Sequence, residues 1–149
     1  RGDIVQFVRE ITESFSDLIE KNKIDFMYHA SPDVYFMMFD HDKVEKIMFN
    51  LLSNAFKFTP ENNRIEVGLN VQGDAEEKQL EIKVADSGIG IPEEMQDRIF
   101  TPNFTTKTSG TGLGLAMCKS IAEQAGGSIW FETEVGEGTT FYVDLPSGE

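Results

Sequence analysis

The chain has 149 residues, 40% of them hydrophobic, which is enough for one domain with a core and too few for two. Its 26 acidic against 13 basic residues give a net charge of −13, which excludes a generic nucleic-acid or anionic-membrane surface, because such binding rests on clustered lysine and arginine. A single cysteine, Cys118, excludes an internal disulfide framework, and no apolar run reaches the length of a membrane span or a signal peptide.

Ile4, Val8, Ile11, Phe15 and Leu18 recur at helical spacing, so a first helix is expected within residues 1–22. "IDFMYHA" and "VYFMMFD" have the composition of short strands, and the turn signal "SPD" between them predicts a strand pair. A second helix is expected from about Asp42 to Phe58, ended by Pro60 and "ENN". Val44, Ile47, Met48, Leu51, Leu52, Ala55 and Phe58 share one side of it. Asn50, Asn54 and Lys57 fall on the other side, within an arc of about 60°. One face packs and the other presents two amides and a cation; on spacing alone these could also cap or solvate an exposed face.

"RIEVGLNV" and "QLEIKVAD" alternate apolar and polar residues across "QGDAEEK", as a hairpin with one buried face should. The second strand ends in Asp86, which before Ser-Gly also suits an ordinary turn. Residues 88–111 form a long irregular stretch bounded by glycine, containing the short helical piece "PEEMQDRIF" with Pro92 in its first turn and then the polar "TTKTSG". That composition suits a hinged lid. A third helix is expected over "GTGLGLAMCKSIAEQAGG", where Gly110, Gly112 and Gly114 would let backbone N–H groups and the helix dipole meet a phosphate. "SIWFETEV" and "TTFYVDLP", joined by "GEG", close the chain as a second hairpin. Three helices and about six strands predict an α+β two-layer sandwich with the helices on one mixed, mostly antiparallel sheet.

Taken in order, "NLLSNAFKFT", "DSGIGIP", "RIFTPNFTT" and "GTGLGLA" resemble the asparagine, first glycine, phenylalanine and second glycine boxes of sensor histidine kinases, from about Asp3 to Pro146. These kinases share an ATPase superfamily with gyrase, Hsp90 and MutL. The resemblance implies a Bergerat-type ATP-binding fold, with ATP and Mg²⁺ bound. It implies that Asn54 ligates the metal, that Asn50 supports metal and phosphates, and that Lys57 contacts phosphate. An amide oxygen is a suitable hard donor for a Mg²⁺ that keeps waters and phosphates in its shell.

By the same resemblance Asp86 reads adenine, accepting a hydrogen bond from the exocyclic amine where guanine would present a carbonyl. Gly88 and Gly90 make the turn beneath the base, Ile91 and Phe58 line its faces, and Thr139 or Thr140 helps bind it through water. Phe100 and Phe104 become anchors of the lid, or simply core residues. Thr105, Thr106, Gly110, Thr111, Gly112, Leu113 and Gly114 complete the nucleotide-binding stretch. Many family members carry a lid arginine; Lys107 is the cation in that region here, and Lys46 stands where glutamine is frequent.

Hydrolytic relatives and related serine kinases place a glutamate general base four residues before the metal-binding asparagine, and here that position is Asn50, which cannot take a proton. This favours phosphoryl transfer to an imidazole. The family's acceptor is a His followed by Glu or Asp in a helical hairpin, a setting that neither His29 nor His41 has. The expectation is therefore a protein-histidine kinase catalytic domain spanning 1–149, with residues 1–22 following an absent dimerisation/phosphoacceptor region and 88–111 as the ATP lid. Its partners would be ATP or ADP, that helical domain and, indirectly, a response regulator receiver domain in two-component signalling. The fragment is expected to be monomeric and cytoplasmic, whether or not its parent is anchored in the inner membrane. A regulatory nucleotide-binding module without transfer and an ATP hydrolase of the same superfamily are the competing readings.

Overall fold

The computed structural model describes residues 2–73, 77–101 and 112–147. Its elements in chain order are β1 (Gly2–Asp3), α1 (Ile4–Glu13), α2 (Ser16–Lys21), β2 (Asp25–Ser31), β3 (Phe36–Met37), α3 (His41–Phe58), β4 (Arg64–Gln72), β5 (Gln79–Asp86), α4 (Glu93–Gln96), α5 (Gly112–Gln124), β6 (Ser128–Glu134) and β7 (Gly138–Pro146). Five strands form one sheet in the order β2-β4-β5-β7-β6, and β1 and β3 form a separate two-stranded ribbon. β2 runs parallel to β4, and the other neighbours in the large sheet are antiparallel. The mixed α+β architecture thus agrees with the alternation and hairpins in the sequence.

Two local expectations are overturned. The first is a single helix before residue 22: α1 stops at Glu13 and α2 starts again at Ser16. The hydroxyls of Thr12 and Ser14 donate to the carbonyls of Arg9 (2.7 Å) and Ile11 (2.6 Å), and such local bonds compete with helix propagation. Ile4, Val8, Ile11 and Phe15 are buried as their spacing suggests, but Leu18 beyond the break is exposed. The second is the pairing of the two early strands. β2 pairs with β4, across the intervening α3, and β3 pairs with β1. Proximity in sequence favours a hairpin, whereas the apolar face of α3 has to be covered by sheet, and the crossover that packs it there requires parallel strands.

Asp40 caps α3 by accepting from the Lys43 N–H at 3.2 Å, and the helix ends before Pro60. Val44, Ile47, Met48, Leu51, Leu52 and Ala55 are buried from that helix, joined by Phe56, while Phe58 is only half-buried. They meet the inward-facing residues of the sheet, among them Ile65 and Val67 of β4, Leu80, Ile82 and Val84 of β5, and Val143 of β7. Each such side chain removed from water contributes roughly 1.5–3 kcal/mol before conformational entropy is counted, so this layer is what fixes α3 over the sheet. α5 packs beside α3, with Cys118 buried against the Ile47 carbonyl. No helix among the described residues is long and apolar enough to cross a membrane.

Candidate nucleotide-binding site

The C-terminal half of α3 meets the C-terminal end of β5, the central strand of the sheet. The Ile89 N–H donates to the Phe58 carbonyl at 3.4 Å, and the loop after β5 is held to the start of β4 because Ser87 N–H donates to the Arg64 carbonyl (3.0 Å) while Arg64 N–H donates to Ser87 Oγ (2.8 Å). A Cβ on Gly88 would come within 2.3 Å of the Phe58 carbonyl oxygen, so only glycine lets the loop lie this close to the helix end. Gly90, with positive φ, lies against the Glu134 carbonyl in the same way.

Asp86 is fixed before any ligand arrives. Its Oδ1 accepts from the N–H groups of Gly88 (2.9 Å) and Thr139 (3.3 Å), and Oδ2 has no hydrogen-bond partner among the described residues. Burial pushes its pKa up, opposed in part by those two donors. The Asp86–Gly88 bond is an Asx turn, so the bland turn-forming role and a ligand-binding role are both open to one carboxylate, through different oxygens.

Asn54 behaves in the opposite way. It is buried at 6% exposure, yet neither its Oδ1 nor its Nδ2 has a partner among the described residues. A buried amide left unmatched costs roughly 1–3 kcal/mol, which no core residue needs to carry. Its oxygen is a hard donor of the kind Mg²⁺ accepts, so the residue fits a metal or phosphate ligand. One turn back, the Asn50 amide nitrogen donates to the Lys46 carbonyl of its own helix at 2.7 Å, and one turn on, Lys57 is exposed.

The other expected site residues are placed unequally. Ile91 is half-buried and its N–H donates to Thr133 Oγ1 at 2.9 Å. Of the two candidate threonines, Thr139 stands opposite Asp86 on the core face, whereas Thr140, its neighbour in the strand, faces the other way. Phe100 packs against Phe131 and Phe141, at ring-centroid distances of 5.9 and 6.3 Å, so it fastens the segment after α4 to the core. Pro92 is the N-cap of α4 and not a residue of its first turn. Gly112, Leu113 and Gly114 form the start of α5. Phe104, Thr105, Thr106, Lys107, Gly110 and Thr111 lie outside the described residues.

Two contributors were missed by the sequence reading. Gly138 has φ +134°, and a Cβ there would lie 2.0 Å from the Asp86 carbonyl oxygen, so β7 can flank Asp86 only with glycine at its first position. In the sequence Thr133 is one residue of the strand "SIWFETEV". The "GEG" turn and the inward register of β6 would have marked both.

Residues 39–149 match the family described as histidine kinase-, DNA gyrase B-, and HSP90-like ATPase. The sensor histidine kinase WalK of Bacillus subtilis (strain 168) is 33% identical over 152 residues, covering 98% of this chain and 24% of WalK. Histidine kinase P4 of Formosa agariphila is also 33% identical, over 99% of this chain and 11% of its own length. The chain thus spans a quarter or less of these two curated relatives. Among solved structures, a nucleotide-free catalytic domain of histidine kinase ThkA superposes with a TM-score of 0.85 at 34% identity, covering 96% of this chain and 91% of that one. ThkA in complex with the response regulator protein TrrA superposes with a TM-score of 0.78 at 31% identity, over 95% of this chain and 40% of that one. The chain therefore belongs to the histidine kinase-, DNA gyrase B- and HSP90-like ATPase family, as the ATPase domain of the sensor histidine kinase type.

Proposed function

We propose that the domain binds Mg-ATP and delivers the γ-phosphoryl group to a histidine on a separate helical dimerisation/phosphoacceptor domain, upstream of a response regulator. The observation that carries this reading is the buried, unpartnered Asn54 amide on the helix whose end abuts the Asp86–Gly88 turn. Asp86 Oδ2 takes the exocyclic amine of adenine while Oδ1 stays on the backbone. On α3, Asn54 Oδ1 would hold the metal and Lys57 would contribute positive charge toward the phosphates. The chemistry that Mg²⁺ would supply there is neutralisation of phosphate charge.

No group of three carboxylate, histidine or cysteine side chains converges among the described residues, so the metal would draw most of its oxygens from phosphate and water. Asn50 supplies no base. An imidazole acceptor attacks through a neutral nitrogen lone pair and needs none, whereas water or serine must lose a proton. Residues 88–111, Lys107 among them, would be the ATP lid, of which 102–111 lie outside the described residues. WalK and ThkA are named histidine kinases, and the ThkA–TrrA complex supports a response regulator as the downstream partner.

The test is to mix the purified domain with a separately purified acceptor hairpin and γ-labelled ATP. Acid-labile label on the hairpin's histidine, dependent on Mg²⁺, is the expected result. Free phosphate released at the same rate with or without the hairpin would replace the kinase reading by a hydrolase. Binding of ATP with neither product would leave a regulatory nucleotide-binding module.

A further inference from the structure

The register of the sheet places residues in rows across β5, β7 and β6. Ile82, Val143 and Ile129 form one row on the core face, and Val84, Phe141 and Phe131 form the next. The row after these is Asp86, Thr139 and Thr133. Apolar packing thus gives way to three polar side chains side by side, at the end of the sheet where the site lies.

Within that row Thr133 is a hub. Its Oγ1 accepts from the Ile91 N–H (2.9 Å), lies 2.8 Å from Thr139 Oγ1, and can donate to the Gly138 carbonyl at 3.0 Å. Thr139 in turn gives its N–H to Asp86 Oδ1. We infer that Thr133 is a positioning residue for the purine site, setting through its hydroxyl whether Thr139 offers a donor or an acceptor beside Asp86.

The proton count shows how. A threonine hydroxyl has one proton to give. If Thr133 gives its proton to the Gly138 carbonyl, Thr139 must donate to Thr133 and can only accept from a ligand. If Thr133 gives it to Thr139, the Thr139 proton is released for a ligand acceptor. Adenine presents an amine donor with a ring-nitrogen acceptor beside it. Asp86 answers the donor, and a direct hydrogen bond to the acceptor requires the second arrangement. Hypoxanthine, with a carbonyl and a ring N–H, reverses both needs.

This role rests on the reading of Asp86 as the adenine acceptor, and titration with ADP and inosine diphosphate separates the two. Thr133→Val removes the hydroxyl at nearly constant shape, leaves the Thr139 hydroxyl without the neighbour that orients its proton, and should thereby weaken ADP binding about threefold to tenfold while lowering the ADP preference over inosine diphosphate. Thr133→Ser should stay within about twofold of the parent, by keeping that one hydrogen-bonding group. Because Thr133 acts through Thr139, the Thr133→Val/Thr139→Val pair should bind no more weakly than Thr139→Val alone.

Unchanged ADP affinity and preference in Thr133→Val would overturn the proposal, as would losses that multiply in the double variant. Should Thr133→Val not fold, Thr133→Cys takes its place with the same outcomes, since a thiol is a weak donor. A parent protein that bound both nucleotides alike would remove the adenine reading and this role with it, whereas a clear parental preference for ADP left intact by Thr133→Val removes this role alone.

Discussion

In the proposed nucleotide site Asp86 and Asn54 are held in opposite states. Asp86 has two backbone donors on one oxygen and is oriented before ligand arrives, while Asn54 is buried with its whole amide unmatched among the described residues. On the proposed reading the base half is preorganised, and the metal half carries a deficit that binding would remove. A preformed base pocket gives specificity without a conformational cost, and an unsatisfied donor set couples affinity to the metal and phosphates.

Asn54 is where this contrast should break most visibly. Asn54→Leu exchanges the unmatched amide for an apolar group of similar size, so phosphoryl transfer to a supplied acceptor should fall by roughly a hundredfold or more. The same change should raise the melting temperature of the nucleotide-free protein, because the desolvated amide is gone. Gain of stability with loss of Mg²⁺-dependent tightening of ADP is the signature; a lower melting temperature with transfer intact would make Asn54 a structural residue.

A smaller effect is expected from Asp86→Asn in the absence of nucleotide. Because burial holds the Asp86 pKa above the ordinary carboxylate value, its contribution to stability is fully present below that ordinary value and is lost as pH rises through the raised folded value. The variant does not titrate. Melts across pH should therefore show Asp86→Asn gaining on the parent as pH increases, and a gap that closes with rising pH would contradict this origin of the shift.

The far face of the sheet provides the smallest effect. There His29 Nε2 lies 2.7 Å from Glu66 Oε2 and Lys83 Nζ lies 3.6 Å from Glu66 Oε1, all partly exposed to solvent. Glu66→Gln should change stability by no more than about 1 kcal/mol, as exposed ion pairs do. ADP titration of that variant should match the parent; a change would extend the site through the sheet.

The sequence made α3 legible because its apolar face, Asp40 cap and Pro60 stop all agree, and the asparagine and first glycine boxes lie on α3 and on the loop after β5, which meet in the structure. What it hid was set by contacts distant in the chain. Whether β2 pairs with β3 or β4 is decided by where α3 packs, and the break in α1 by two hydroxyls that prefer the backbone. Thr133 and Gly138 matter because β7 lies between β5 and β6, a fact that no local pattern carries. The polar stripe on α3 was visible, but not that it is divided: Asn54 is buried and unmatched, Asn50 is bonded to its own helix, and Lys57 is exposed.

The central claim is that Asp86 reads the purine with Oδ2 because Oδ1 is already pinned. Calorimetric titration of Asp86→Asn with ADP and with inosine diphosphate tests it most directly. In the variant the amide oxygen should take the two backbone donors, so that its NH₂ replaces Oδ2 and faces the adenine amine, donor against donor. ADP affinity should then fall about tenfold to a hundredfold, the value of a charge-assisted hydrogen bond, while inosine diphosphate, with a carbonyl at that place, should bind at least as well as it does to the parent. Affinities that fall together for the two nucleotides, or an unchanged affinity for ADP, would contradict the account.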